Sequence, residues 1–256
     1  MSSLPKLLKL KDYVTLTGTV LGLIALVSAT IGGREWVSMG FFLIAITLGT
    51  DLLDGYIARK TGTVNQMGKQ LDSLSDSLTF GIAPAALTFQ GFKTGTGYDL
   101  ILLIGCILFA LGAILRLARF NISDDPGYTG VPTPLSALLL ITFFYANYFF
   151  AFAFGGGFPR VLTFPFLDIA YYAIPFLCGL IGWMNITTFI VFSEKGKFEY
   201  IIFCIFAPFC PLFGIIGILN PDFIVSMIAC IFFIVGFLLL MGYIISGFYR
   251  FFKKRK

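Results

Sequence analysis

The chain has 256 residues, of which 58% are hydrophobic and only 12% charged, with a mean hydropathy of +0.93 and a formal net charge of +5. Soluble domains carry roughly 25% charged residues, so the composition excludes a soluble globular protein and implies a single all-α, polytopic membrane domain over 1–256. The absence of histidine excludes His-based catalysis, and the five cysteines sit in apolar runs without CxxC spacing, which excludes zinc chemistry. Any general base must then be Asp, Glu, Lys, Tyr or Cys.

The N-terminal stretch MSSLPKLLKLKDY is short, basic and amphipathic and lacks a small-residue cleavage site. It is expected to lie on the membrane surface, with Lys6, Lys9 and Lys11 near lipid phosphates. About eight apolar stretches follow that are suited to crossing a bilayer: 13–32, 37–58, 74–92, 98–121, 132–154, 166–192, 199–218 and 222–248. The third is short and interrupted by Pro84. Pro132 and Pro134 give the fifth a rigid start. The sixth is long, with Pro175 and Gly179 as the expected kink. Placing the N-terminus in the cytoplasm puts 15 of the 18 Lys and Arg on that side and leaves Arg34, Lys93 and Arg160 opposite. The positive-inside rule therefore favours an even number of spans with both termini in the cytoplasm of a cell membrane. The C-terminal KKRK suits anionic membrane lipids. No nucleic-acid partner is expected. Asp124, Asp125 and the balanced set Glu194, Lys195, Lys197 and Glu199 read as solvated loop charges.

The stretch DLLDGYIARKTGTVNQMGKQLDSLSDS, residues 51–77, departs from this apolar pattern. Asp51 and Asp54 are three apart at the cytoplasmic end of the second span, and Asp72 and Asp76 are four apart at the start of the third. Both spacings set the pair on one helix face, and the link between them carries Gly62, Asn65 and Gly68 and reads as a turn. Two neighbouring helices then face each other with four carboxylates. Such a group is costly to desolvate without counter-charge. One or two divalent cations fit, and all-oxygen ligation favours Mg²⁺, Mn²⁺ or Ca²⁺.

The pattern Asp51-x2-Asp54-Gly55-x2-Ala58-Arg59-x8-Gly68-x3-Asp72-x3-Asp76 resembles the signature of the CDP-alcohol phosphotransferase family. The resemblance covers about 1–192 and implies a six-helix core, to which 193–256 adds two C-terminal helices. It implies two divalent ions, Mg²⁺ or Mn²⁺, held by Asp51, Asp54, Asp72 and Asp76, with Asp76 also the base that deprotonates an acceptor hydroxyl. Gly55, Ala58 and Gly68 leave room for the cytidine nucleotide of a CDP-lipid donor, Arg59 meets one of its phosphates, and Asn65 lies near them. A homodimer is also implied. The chemistry is coherent: metal neutralises the pyrophosphate and the departing CMP, and a carboxylate beside it takes the proton.

The signature defines the donor and leaves the acceptor open. The segments DYVTLTG (12–18), LSDSLTFGIAPA (74–85), RLARFN (116–121) and GVPTPLSA (130–137) resemble the phosphatidylserine and archaetidylserine synthases, which implies L-serine as acceptor in phospholipid biosynthesis. Those enzymes usually carry Asn where this chain has Gly18; Thr15 and Thr17 are the candidates to take over its polar contribution. Arg forks suit carboxylates, so Arg116 and Arg119 are candidates for the serine carboxylate, Arg119 first, with Asn121 and Lys69 nearby. Two other readings stay open. Glycerol phosphate, inositol phosphate or a sugar phosphate could replace serine, with the two arginines serving its phosphate. A cation transporter would also use membrane carboxylates, but the four aspartates sit at one membrane face with no matching set at the midplane.

Overall fold

A computed structural model describes residues 8–61, 66–122, 128–192 and 209–254. In chain order the described elements are α1 (Leu10–Ile31), α2 (Arg34–Thr61), α3 (Gln66–Asp76), a π-helical turn (Ser77–Ile82), α4 (Ala83–Phe92), α5 (Asp99–Ile122) and β1 (Tyr128–Thr129). Then come α6 (Thr133–Gly155), a 3₁₀ turn (Arg160–Leu162), α7 (Asp168–Ile186), β2 (Val191–Phe192), the short apolar helix α8 (Phe209–Ile218) and α9 (Phe223–Lys254). Six of these helices are long and apolar enough to cross a membrane: α1, α2, α5, α6, α7 and α9. The run from Gln66 to Phe92 stands where the third span is expected, and α8 occupies the end of the seventh. Residues 199–208 of that seventh span lie outside the described residues, as do Lys6 and Asn65.

Close packing between helices in a bilayer depends on small side chains, and the sequence supplies them at helical spacing. In α1, Gly18, Gly22, Ala25 and Ala29 are buried, while Val20, Leu23, Ile24 and Val27 on the opposite side are exposed. This face receives α2 and the run from α3 to α4. α5 and α7 meet more closely still. A Cβ on Gly112 would collide with the Gly182 carbonyl, and one on Gly182 with the Leu108 carbonyl. The two backbones therefore touch, and only glycine permits it.

α6 is apolar on every side, as expected of a helix surrounded by others. Phe144 stacks on Phe41 of α2 at 4.7 Å, and Tyr145 stacks on Phe233 of α9 at 5.1 Å. The Tyr145 hydroxyl donates to the Ser38 carbonyl at 2.9 Å. The Cys230 thiol of α9 donates to the Ala146 carbonyl at 3.3 Å. The C-terminal helix is thus built into the core. Arg34, on the side expected to be outside, donates to the Val161 and Phe164 carbonyls and lies 4.0 Å from the Phe166 ring centre. It pins the 3₁₀ turn to the start of α2.

Three sequence expectations change. Pro84 does not break the third span. Proline lacks an N–H and crowds the carbonyl four residues back, and the wider π turn ending at Ile82 takes up that strain without interrupting the helix. The sixth span ends at Ile186 rather than 192. Thr187 is extended, and residues 191–192 pair antiparallel with 128–129, in register Tyr128↔Phe192 and Thr129↔Val191. Lys11 is not the exposed side chain expected of a residue reaching lipid phosphates. It is buried at the start of α1 and paired with Asp12 at 3.2 Å.

Candidate active site

α2 continues beyond its apolar stretch and carries Asp51, Asp54 and Gly55 into the same region as α3, which carries Asp72, Ser73 and Asp76. One carboxylate oxygen each from Asp51, Asp72 and Asp76 lies within 4.8 Å of the others, and all three side chains are half-buried. Like charges at that distance repel by about 3.5 kcal/mol per pair at an effective dielectric constant of about 20. Counter-charge relieves that repulsion, and three convergent carboxylate oxygens match the donor set of a hard divalent cation. Asp54 stands slightly apart. It is buried, with 7% of its surface exposed, and its Oδ2 accepts a 2.7 Å hydrogen bond from the Thr15 hydroxyl.

Thr15 belongs to α1, so the first helix holds the cluster from behind. Lys11, one turn earlier on the same face, interacts electrostatically with Asp54 and Asp72. Asp12 keeps it in place: its Oδ2 accepts the Lys9 amide at 2.7 Å, and its Oδ1 pairs with Lys11. Thr19 donates to the Ser75 hydroxyl at 2.7 Å. Between α1, α2 and α3 lies a pocket of about 10 Å³ lined by Thr15, Thr47, Thr50, Asp51, Asp54, Ser75, Asp76 and Thr79, about the space one water needs. Of the two hydroxyls expected to stand in at the Gly18 position, Thr15 reaches the carboxylates. Thr17 is exposed and bonds to the Tyr13 carbonyl at 2.9 Å. Lys11 and Thr19 were not legible from sequence, because neither lies in the aspartate stretch.

The cluster opens into a cleft of about 310 Å³ lined by Asp51, Leu52, Asp54, Gly55, Asp72, Ser73 and Asp76 on one wall and Arg116, Leu117 and Phe120 on the other, with Pro132, Thr133 and Pro134 at its end. Gly55 is in the lining. Gly68 is buried one turn before Asp72 and is not in the lining. Ala58 and Arg59 lie on α2, with side chains outside the described residues.

Of the acceptor candidates, Arg116 meets the cleft. It is buried, lines the wall opposite the aspartates and interacts electrostatically with Asp76. Arg119, the first candidate from sequence, is engaged elsewhere. Its guanidinium donates to the carbonyls of Ile186 at 2.6 Å, Thr129 at 3.1 Å and Asn185 at 3.4 Å. The last carbonyls of a helix have no intrahelical partner and carry partial negative charge, and Arg119 satisfies those at the end of α7. Asn121 accepts the Ser73 hydroxyl at 3.0 Å through Oδ1 and the Lys69 ammonium at 3.1 Å through its carbonyl. Asn121 and Lys69 therefore brace α3 against α5 beside the cleft. Ser73 and Thr133 line it and were missed. The signal for Thr133 was the GVPTPLSA segment itself.

Residues 8–191 match the CDP-alcohol phosphatidyltransferase family. The chain is 41% identical over 143 residues to the CDP-diacylglycerol–serine O-phosphatidyltransferase of Methanocaldococcus jannaschii, covering 56% of this chain and 64% of the relative. It is 32% identical over 155 residues to the Saccharomyces cerevisiae protein of that name, covering 54% of each. It is 36% identical over 111 residues to the archaetidylserine synthase of Methanothermobacter thermautotrophicus, covering 42% of this chain and 46% of the relative. The match thus spans no more than 64% of any of these three relatives. With the family match covering most of the chain and the aspartate signature converging on one cleft between membrane helices, this protein belongs to the CDP-alcohol phosphatidyltransferase family.

Proposed function

We propose that the chain transfers a phosphatidyl-type group from a CDP-lipid to the hydroxyl of L-serine, releasing CMP, in phospholipid synthesis. The observation that carries this reading is the cleft itself, with converging carboxylates on one wall and a buried arginine on the other. The names of the relatives support the choice of serine.

Asp51, Asp72 and Asp76, with Asp54 beside them, would hold Mg²⁺ or Mn²⁺, two ions in the fully loaded site. When bound, the metal neutralises the pyrophosphate and the charge that develops on CMP. Asp76 accepts the proton of the serine hydroxyl as the oxygen attacks the lipid-side phosphorus. The new O–P bond forms as the bond from that phosphorus to the CMP oxygen breaks, and CMP leaves with the electron pair. Gly55, Ala58 and Gly68 accommodate the nucleotide, and Arg59 and Asn65 lie toward its phosphates. Arg116 takes the serine carboxylate, and Asn121 and Lys69 support that side of the cleft. Among the described residues of the lining Arg116 is the cationic side chain, which suits a carboxylate better than a phosphorylated acceptor.

In this reading 1–256 form one domain, the last helices extending the family core, and the protein works as a homodimer in the cell membrane. The bias of Lys and Arg supports both termini and the aspartates facing the cytoplasm, where serine and CMP are water-soluble while the lipid tails stay in the bilayer. The test is CMP release by the purified protein with Mg²⁺ or Mn²⁺ and labelled serine, with CDP-diacylglycerol and CDP-archaeol as alternative donors. Serine-dependent release is expected with one or both donors. Equal release with glycerol phosphate or inositol phosphate would move the acceptor assignment. Cation flux in liposomes without CMP release from any alcohol would refute the enzyme.

A further inference from the structure

At the end of the cleft farthest in sequence from the aspartates, Thr133 begins α6, a helix of 23 residues. Thr133 is fully buried, and its Oγ1 has no hydrogen-bond partner. Buried hydroxyls are rarely left unpaired. This one belongs to a residue that lines the cleft between Pro132 and Pro134, in the same cavity as Asp72, Asp76 and Arg116. Here the N-terminus of α6 is also turned to the cleft, with first-turn N–H groups that have no partner within the helix and the positive end of its dipole. The rings of Pro132 and Pro134 are apolar, so among these three residues Thr133 is the one with a polar side-chain group to offer.

The segment is held firmly from behind. The Val131 amide donates to the Met184 carbonyl at 3.0 Å and the Gly130 amide to the Ile190 carbonyl at 3.1 Å. Gly130 has φ of +78°, and a Cβ there would strike the Asn185 carbonyl, so this residue must be glycine. Arg119 grips the Thr129 carbonyl from the same side. Ser136, one turn along, is turned away from the cleft and donates to the Asn185 side chain. The start of α6 is therefore a fixed donor site rather than a loop that adapts to its ligand.

We propose that the Thr133 hydroxyl and the first turn of α6 receive the carboxylate of the acceptor, opposite Arg116, and so select an amino acid over an amino alcohol. This rests on serine being the acceptor. It accounts for the unpaired hydroxyl, for the helix start at the cleft, and for a GVPTP segment whose prolines and glycine fix the position of one threonine.

The test uses the full-length protein with Thr133→Val, which keeps the shape and removes the hydroxyl, and Thr133→Ser, which keeps the hydroxyl. Thr133→Ala is the substitute should the valine variant fail to fold. CMP release is measured against serine and CDP-lipid concentration, and with ethanolamine, which lacks the carboxylate. Thr133→Val is expected to raise the KM for serine about tenfold, the value of one hydrogen bond to a charged group. The ratio of kcat/KM for serine to that for ethanolamine is expected to fall by about the same factor, the KM for CDP-lipid is expected to rise less than that for serine, and Thr133→Ser is expected to keep the wild-type KM for serine. A wild-type KM for serine in Thr133→Val overturns the assignment. A rise in the KM for CDP-lipid instead also overturns it, because the anion at this helix would then be a donor phosphate. If the wild-type protein itself shows no serine-dependent release, the acceptor reading fails first and takes this assignment with it.

Discussion

Thr15→Val removes one hydroxyl at almost constant volume from a side chain that is 6% exposed, so it opens no cavity. What it takes away is the 2.7 Å hydrogen bond to Asp54 Oδ2, with a longer 3.2 Å contact to the Lys11 carbonyl within α1. A hydrogen bond to a charged group is worth about 1.5–3 kcal/mol. At about 1.4 kcal/mol per decade this corresponds to one to two orders of magnitude in an equilibrium constant. That bond orients a carboxylate of the proposed metal site, and loss of such outer-sphere partners typically weakens metal affinity by about 10–100-fold. The assay is CMP release as a function of Mg²⁺ or Mn²⁺ concentration. The half-activating concentration is expected to rise about tenfold or more, with the saturating rate much less affected. Thr15→Ser, which restores the hydroxyl, is expected to return the curve to wild type. An unchanged metal activation curve in Thr15→Val would refute the reasoning that α1 acts on the site through Asp54.

Asp76→Asn keeps the size of the side chain but removes the proton acceptor; turnover should fall by at least about two to four orders of magnitude, while equilibrium binding of CDP-lipid persists. Arg116→Ala should raise the KM for serine by about tenfold, because it removes the cation from the cleft wall. Arg119→Ala should behave oppositely: it loses two carbonyl acceptors at the end of α7 and one in β1, so the melting temperature drops while the KM for serine holds. A raised KM in Arg119→Ala with Arg116→Ala unaffected would reverse the two roles. Gly112→Leu forces the α5 and α7 backbones apart and should abolish stable folding, read as loss of a monodisperse peak in detergent; wild-type behaviour would disprove their close contact.

Much of the membrane architecture was legible because apolar runs of spanning length leave few alternatives, and the aspartates were legible because spacings of three and four residues define a helix face. The two arginines show where that logic stops. Arg116 and Arg119 are three apart, yet one faces Asp76 and the other closes the end of α7. The difference depends on α7 ending at Ile186. The apolar pattern runs on to residue 192 and hides the carbonyls that Arg119 satisfies. Lys11 was misplaced for a related reason. A lysine in a basic amphipathic stretch reads as a surface residue until the position of Asp54 and Asp72 is known, and these are more than forty residues away. Thr133 lies within the GVPTPLSA motif, but its significance lies in an unpaired hydroxyl, which periodicity does not register.

The π turn at Ser77–Ile82 separates two faces with different obligations. On its N-terminal side, α3 must aim Asp72 and Asp76 at the cleft. On its C-terminal side, α4 must seat Leu87 against Gly40 of α2. A π turn holds more residues than an α turn, so it resets the phase between these two faces. Each residue of an α-helix advances the winding by about 100°. Rewinding the same six residues as an α-helix would swing one face by about that angle relative to the other, and either the carboxylates or the packing would be lost. What function fixes in this segment is therefore its winding: the six residues between Asp76 and Ala83 keep both faces in place only in the π form.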